Sequence, residues 1–459
     1  MAVAMDAYTE FLATKGHIAP SIGVDVPHDA LHPQLFAWQR DVVGWALRKG
    51  RAALFCNTGM GKTFMQLVWA QHAADRALIL APLAVARQTV REGERWGIPV
   101  TYAREQSEAP ESGITITNYE MASHFNAAEF GAVVLDESSI LKAHDGKTRT
   151  ALIAQFRETP MRLCCTATPA PNDIAELANH AEFLSVATRP EMLATFFVHD
   201  DEGWRLKGHA KEPFYRWLAS WGISITKPSD IGYGDEGYDL PPLTISPVIL
   251  PVKYTPDDQL FFTRLKGITD RTKVRKATIA ARVEAAADLI RREPDEPWLV
   301  WVGLNDEGRA IADAIPGAVL VEGSQPIETK TRALLGFSDG EVPILISKVS
   351  ISGFGMNWQH CRRMVFVGLG DSYEQYFQAI RRCWRFGQSE PVTAYVVLTD
   401  PEEAIYQNVL RKEREATEMT AALVREVAEF ETREIRHVAH RDVYAPTVPM
   451  ELPSWLGVA

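Results

Sequence analysis

Short apolar runs alternate along the chain with stretches of helical periodicity. From Leu35 to Trp45 the pattern reads as one helix. Ala52-Ala53-Leu54-Phe55-Cys56 follows as a continuous apolar run, which predicts a buried strand, and Gly59-Met60-Gly61 breaks it. Lys62-Thr63 then opens a helical pattern that continues through Val68. Further strand-like runs lie at Ala77–Leu80, Ile114–Thr117, Ala132–Leu135 and Met161–Thr166. Strands alternating with helices predict a parallel sheet covered on both faces, whose ligands meet the carboxyl ends of the strands.

Residues 175–245 break this alternation. Glu191 to Trp221 is aromatic-rich and expected to be helical, and Asp239-Leu240-Pro241-Pro242 ends an irregular connection. A second alternating block has strand candidates at Trp298–Val302, Ala318–Val321, Ile344–Ser347, Met364–Val367 and Thr393–Val397, led in by a basic helix over 274–292. Beyond Pro401, apolar Ile405, Val409, Ala416, Met419, Leu423, Val427 and Phe430 mark one face of a long helix, expected to pack on the second block. The expected fold class is α/β, with two parallel-sheet domains in tandem, a small helical insertion and a C-terminal helix. The boundaries read from the pattern are 1–30 for an N-terminal extension, 31–174 for the first domain and 175–245 for insertion and linker. The second domain takes 246–400, and a helix and flexible tail take 401–459.

Composition narrows the class. The 459 residues, 46% hydrophobic and 23% charged, suit a soluble globular protein with two or three cores. No run approaches the apolar length of a membrane span, and the N-terminus lacks a signal-peptide core, so a cytoplasmic location is expected. The five cysteines show no metal-ligand spacing. A net charge of −11 argues against coating nucleic acid by bulk attraction. Residues 259–293 nevertheless hold 9 basic against 4 acidic residues, a strip that suits either phosphate contact or a solvated helix face.

The candidate chemistry begins at the broken strand. Strand, Gly-x-Gly turn and helix N-terminus form a phosphate-binding loop. Thr58, Gly59 and Gly61 would wrap the phosphates, Lys62 would meet them, and Thr63 would help hold Mg²⁺. The strict pattern asks for glycine at position 56, where Cys56 stands. Asp136-Glu137 ends another strand; Asp136 would hold Mg²⁺ and Glu137 would orient and deprotonate the attacking water. Far downstream, Arg382 and Arg385 are three apart and share a helix face. Alone they read as a surface cluster; across a cleft they would reach the γ-phosphate.

The ordered series of motifs resembles the superfamily-two helicases and translocases, and within them the Swi/Snf-like group, especially its compact phage or prophage members. The resemblance runs from about His32 to Leu398 and implies two RecA-like domains clamping ATP. Trp38-Gln39 looks like the adenine-contacting motif, and a first glycine is not required in the family's Gly-x-Gly-Lys-Thr. Leu80-Ala81-Pro82-Leu83 and Thr117-Asn118-Tyr119-Glu120 look like strand-contacting motifs. Thr166-Ala167-Thr168-Pro169, followed by Asn172, looks like the motif coupling hydrolysis to domain movement. Ser347 to Asn357, with Gly355, and Gln378 to Gln388 complete the series. By resemblance, Pro82, Asn118, Ser347 and Asn357 would contact nucleic acid, Thr166 and Thr168 would couple, and Gly355 and Gln388 would join the nucleotide site. Two departures stand out: Ser138-Ser139 replaces Ala-His, and Arg381 sits where relatives often have Asp.

The expected function is an ATP-dependent translocase on double-stranded DNA, acting as a monomer. A strand-separating helicase and an ATP-gated clamp with little turnover are the alternatives. A protein partner on the C-terminal helix or on Trp455-Leu456 is a further expectation.

Overall fold

The computed structural model describes residues 18–142, 146–170, 173–200, 203–251, 275–352, 356–370 and 372–435. Its first lobe is built on a seven-stranded, all-parallel sheet. In chain order the strands are β1 (Arg51–Cys56), β2 (Arg76–Ala81), β3 (Val100–Tyr102), β4 (Gly113–Asn118), β5 (Ala132–Asp136), β6 (Met161–Cys165) and β9 (Gly222–Ile225). Their spatial order is β3-β4-β2-β5-β6-β1-β9. Alternate residues of each strand feed opposite faces. Ala52, Leu54 and Cys56 join one apolar layer with Trp38, Trp45, Met65 and Val68 from α1 (Ala37–Lys49) and α2 (Lys62–Ala73). Ala53 and Phe55 join the other with Phe183, Phe196, Phe214 and Trp221. Both faces are covered, so the strands read as unbroken apolar runs.

The segment after residue 175 departs from the expected helical insertion. The helices α5 (Leu177–Phe183), α6 (Arg189–Phe196) and α7 (Lys211–Ala219) are interrupted by an antiparallel hairpin of β7 (Phe197–Asp200) and β8 (Gly203–Leu206). β9 then pairs with β1, with Leu54 beside Ile223 and Phe55 beside Ser224. Four residues are too few for their alternation to stand out from the aromatic helix before them, which is why the pattern hid this strand. The remaining first-lobe helices are α3 (Leu83–Trp96) and α4 (Lys147–Gln155).

The second lobe holds a six-stranded parallel sheet ordered β10-β15-β14-β11-β13-β12. Its members are β10 (Leu243–Leu250), β11 (Trp298–Val302), β12 (Ala318–Val321), β13 (Ile344–Lys348), β14 (Arg363–Val367) and β15 (Val392–Thr399). The five expected strands are present. β10 was not foreseen, because Pro247 breaks its pattern, and it takes the edge where a missing N–H is tolerated. Helices α8 (Ile279–Arg292), α9 (Asn305–Ala314), α10 (Ile327–Ser338), α11 (Val349–Ser352) and α12 (Tyr373–Ile380) complete the lobe. Two RecA-like parallel sheets in tandem bear out the expected fold class.

The last helix, α13 (Glu403–Ile435), departs from expectation in its docking. Tyr406 and Val409 join the second lobe's core, but Leu423 and Val427 join the first lobe's. Lys211 pairs with Glu426 at 2.7 Å, and Lys49 with Glu434 at 2.8 Å. The 33-residue helix therefore crosses from one lobe to the other. No helix among the described residues is long and apolar enough to cross a membrane.

Candidate active site between the two lobes

The phosphate loop runs from the end of β1 to the start of α2. Gly59 and Gly61 have φ of +90° and +76°, conformations that favour glycine, and Gly61 caps α2. Cys56 is still strand residue, fully buried, with its thiol pushed up to about 12 by burial; no glycine is needed there. The Lys62 ammonium donates to the carbonyls of Cys56 at 2.7 Å and Asn57 at 3.1 Å, and burial lowers its proton affinity. The Thr58 N–H donates to Asn57 Oδ1 at 2.8 Å. Gln39 braces the loop from α1, donating to the Met60 carbonyl at 3.0 Å and accepting the Phe36 N–H at 3.0 Å.

Two strands away, β5 delivers Asp136 and Glu137. Burial, and then the neighbouring Glu137 carboxylate, push the Asp136 carboxyl up to about 6. Tyr119 donates its hydroxyl to the Asp136 carbonyl at 2.7 Å. Glu137 has φ of +58°, a strained backbone for a non-glycine residue and a kind of strain concentrated at functional sites. Its Oε1 accepts the Thr166 hydroxyl at 3.0 Å, and Thr166 Oγ1 in turn accepts the Thr168 N–H at 3.1 Å. Desolvation raises the Glu137 carboxyl and the Lys62 charge opposes the rise. A buried carboxylate and the Thr63 hydroxyl are the oxygen donors a hard divalent cation takes, and a cation would relieve the acidic pair. The donor set fits Mg²⁺ with ATP.

The second lobe closes on these groups. Gln378 on α12 donates to Glu137 Oε1 at 3.5 Å. Arg382 is held by the Gln378 carbonyl, Gln378 Oε1 and the Met356 carbonyl, at 2.9, 2.9 and 3.1 Å. Burial lowers its pKa to about 9, while Glu137 and Asp136 favour its charge. Arg385 donates to the same Met356 carbonyl at 3.4 Å. Phe386 lies directly over the phosphate loop: a Cβ added at Gly59 would stand 2.9 Å from its backbone nitrogen. Lys62, Asp136, Glu137, Arg382 and Arg385 thus converge from sequence positions more than three hundred residues apart.

Other expected site residues take different places. Gln388 donates to the carbonyls of Cys361 at 3.2 Å and Cys383 at 3.4 Å and accepts the Glu390 N–H at 2.9 Å, so its amide ties the turn behind the arginines. Trp38 is buried and donates to the Tyr238 hydroxyl at 3.2 Å. Asn118 donates to Glu120 at 2.5 Å, Ser347 is buried in β13, and Asn357 crosses the lobes to Glu92 at 2.7 Å. Pro82 heads α3 on the wall of an interlobe cavity of about 640 Å³. Gly355, Asn172 and the 436–459 tail lie outside the described residues. Arg381 turns from the site and stacks 4.4 Å over the Trp384 ring.

Sequence reasoning missed three groups. Tyr238, from the connection between the lobes, has its ring 5.9 Å from Trp38 and 4.9 Å from Phe386, and Phe36 joins this aromatic group. Trp384 donates to the Pro241 carbonyl at 2.7 Å, tying the connection to the arginine turn. Glu374, one turn before Gln378, reaches across to Ser139 and Lys142. Tyr238 and Glu374 have no motif, and Trp384 lies within the last motif without any sign there of its partner; each contact is set by tertiary placement.

The SNF2-related domain family matches residues 38–196, and the helicase conserved C-terminal domain matches residues 283–387. A mouse (Mus musculus) protein, the DNA annealing helicase and endonuclease ZRANB3, is 25% identical over 181 residues; the match covers 35% of this chain and 17% of that relative's length. A solved SWI2/SNF2 ATPase core of Sulfolobus solfataricus, in complex with dsDNA, superposes with a TM-score of 0.43 at 17% identity. It covers 90% of this chain and 99% of its own. Neither relative supports a phage origin.

Proposed function

We propose that this chain, which matches the SNF2-related domain and the helicase conserved C-terminal domain, is a DNA-dependent nucleoside-triphosphate hydrolase that translocates along double-stranded DNA, driven by ATP hydrolysis between its lobes. The observation that carries this reading is the split site. Lys62, Asp136 and Glu137 stand on one lobe, Arg382 and Arg385 on the other, and Gln378 bonds directly to Glu137.

ATP would lie on the phosphate loop, its negative charge met by the α2 N-terminus and Lys62. Mg²⁺ bound with the nucleotide would neutralise phosphate charge, and Thr63 and Asp136 are the residues that would hold it. Glu137 would position a water and take its proton. Arg382 and Arg385 would stabilise charge on the transferred phosphoryl group, an effect worth about three orders of magnitude or more in related chemistry. Since the arginines belong to the second lobe, turnover depends on closure, and a polynucleotide spanning both lobes favours closure. The interlobe cavity carries Arg87, Lys142 and Lys330 beside Glu120, Glu137 and Glu374; its cations would meet backbone phosphates, so binding should be salt-sensitive and weakly dependent on sequence.

The test compares ATPase stimulation by duplex DNA, single strands and RNA, with strand displacement on forked DNA alongside. The reading expects strongest stimulation by duplex without unwinding. Robust unwinding would favour the helicase alternative, and negligible turnover with every polynucleotide would favour the clamp.

A further inference from the structure

Ser139 stands where the resembling family carries histidine, and its single hydroxyl proton faces two carboxylates. Ser139 Oγ lies 3.4 Å from Glu137 Oε1 and 3.3 Å from Glu374 Oε1. A serine hydroxyl donates one hydrogen bond, so it serves one of these acceptors at a time. Glu374 belongs to α12 of the second lobe and is also ion-paired with Lys142. Lys142 is 42% exposed and Glu374 13% exposed, and both line the 640 Å³ cavity beside Pro82, Arg87 and Lys330. Ser139 and Glu137 line the same cavity, so the contacts Lys142–Glu374–Ser139–Glu137 run without a gap along its wall to the residue proposed to position the attacking water.

We propose that Lys142, Glu374 and Ser139 form a toggle through which a nucleic-acid phosphate entering the cavity releases Glu137 for hydrolysis. The inference rests on the reading that duplex DNA occupies that cavity. With Lys142 paired to it, Glu374 is a partly neutralised acceptor, and the Ser139 hydroxyl is shared between the lobes. Glu137 Oε1 is then held by three donors, Thr166, Gln378 and Ser139. A backbone phosphate is a strong competing anion for a lysine that lies on the cavity wall. When it draws Lys142 away, Glu374 becomes the stronger acceptor and the Ser139 hydroxyl donates its hydrogen bond to Glu374 instead of Glu137. Glu137 keeps two donors and is free to turn toward a water. Glu374 and Ser139 are positioning residues in this scheme, acting on the reaction only through Glu137.

The toggle predicts opposite signs for the two halves of one ion pair. Lys142→Gln imitates the phosphate-drawn state: turnover without DNA rises roughly two- to tenfold, the worth of one hydrogen bond of this kind, and the stimulation ratio falls by the same factor. Ser139→Ala, which removes the shared proton, does likewise. In Glu374→Gln the new amide donates to the Ser139 oxygen and commits the hydroxyl proton to Glu137, so turnover without DNA falls below wild type and stimulation is blunted. Lys142→Arg keeps the charge and restores the wild-type ratio. The measurement is steady-state ATPase of the full chain with and without a short blunt DNA duplex, with melting temperatures recorded for every variant. A merely structural ion pair would move Lys142→Gln and Glu374→Gln in the same direction, and that result overturns the toggle, as does an unchanged Lys142→Gln. Wild-type protein that duplex DNA fails to stimulate would instead sink the reading on which the toggle rests.

Discussion

Closure of the lobes can be probed at the contact between Gly59 and Phe386. Replacing Gly59 by alanine has two separable costs. Its φ of +90° is strained for any L-residue, about 1–2 kcal/mol, which weakens the loop whatever the second lobe does. The new Cβ would also stand 2.9 Å from the Phe386 nitrogen and 3.2 Å from its Cβ, where ordinary contact begins near 3.4 Å. The nearest of these atoms is backbone, so no rotamer change relieves it and the lobes must separate by a few tenths of an ångström. Overpacking of this kind costs about 1–3 kcal/mol, which reduces the closed population roughly five- to 150-fold.

Gly61→Ala is the control. Its φ of +76° brings a similar strain, but its Cβ meets only the end of the Gln39 side chain, at 2.4 Å, within the first lobe. Binding of a fluorescent ATP analogue and turnover at saturating ATP with duplex DNA separate the two costs. Both variants should bind nucleotide more weakly. Only Gly59→Ala should also lose turnover at saturation, by the factor above. Equal saturated rates in the two variants would refute the claim that Phe386 reports closure at the phosphate loop.

Three further outcomes follow from single contacts. Arg382→Lys cannot reproduce a fork bonded to two carbonyls and an amide oxygen, so DNA-stimulated turnover should drop about a thousandfold with nucleotide binding retained, measured by the same two assays. Arg282 is fully buried between Glu307 at 2.6 Å and Glu402 at 3.0 Å, and Arg282→Met leaves two buried carboxylates without it; urea unfolding should show a loss of about 3–5 kcal/mol in the second lobe. Glu431 is buried with Oε1 accepting the Ser224 N–H at 2.6 Å, and burial and Asp230 raise its pKa well above the ordinary carboxylate value. A raised folded value gives stability that is complete below the unfolded pKa of about 4.5 and is lost as pH rises through the folded one. Glu431→Gln keeps an acceptor for Ser224 and removes that loss, so its urea midpoint should exceed wild type by a margin that grows with pH; a constant margin would refute the cause given.

The phosphate-loop half of the candidate site was legible because its parts are local. A strand, a Gly-x-Gly turn and a helix start lie within a dozen residues, and Asp136-Glu137 announces itself at a strand end. The two lobes were legible because strands buried on both faces are unbroken apolar runs. What escaped depends on long-range placement. Glu374 carries no signal until α12 is laid against Ser139. Tyr238 sits in an irregular connection whose aromatic contacts come from both lobes. Gln388 was assigned to nucleotide by its motif, yet its amide is committed to backbone carbonyls. Helix α13 showed its apolar face in sequence, but periodicity cannot say that Leu423 and Val427 leave one lobe for the other.

The position of β9 has a consequence for how the protein is made. The phosphate loop is complete in sequence at Thr63, but the strand that carries it is flanked by β6 and by β9, and the Asn57 N–H finds its partner only at the Ile225 carbonyl. While the ribosome is still synthesising the chain, β1 has no neighbours until the intervening residues emerge, and β9 then becomes an open edge. That edge receives its cover from Glu431, almost the last described residue to leave the exit tunnel. A nascent chain stalled between the two lobes would carry all seven strands of the first sheet but leave the β9 edge without its α13 cover, a strand edge exposed to aggregation. Pairing of the strand that carries the phosphate loop thus waits for the end of the first lobe, and the cover of β9 waits for a helix that follows the second.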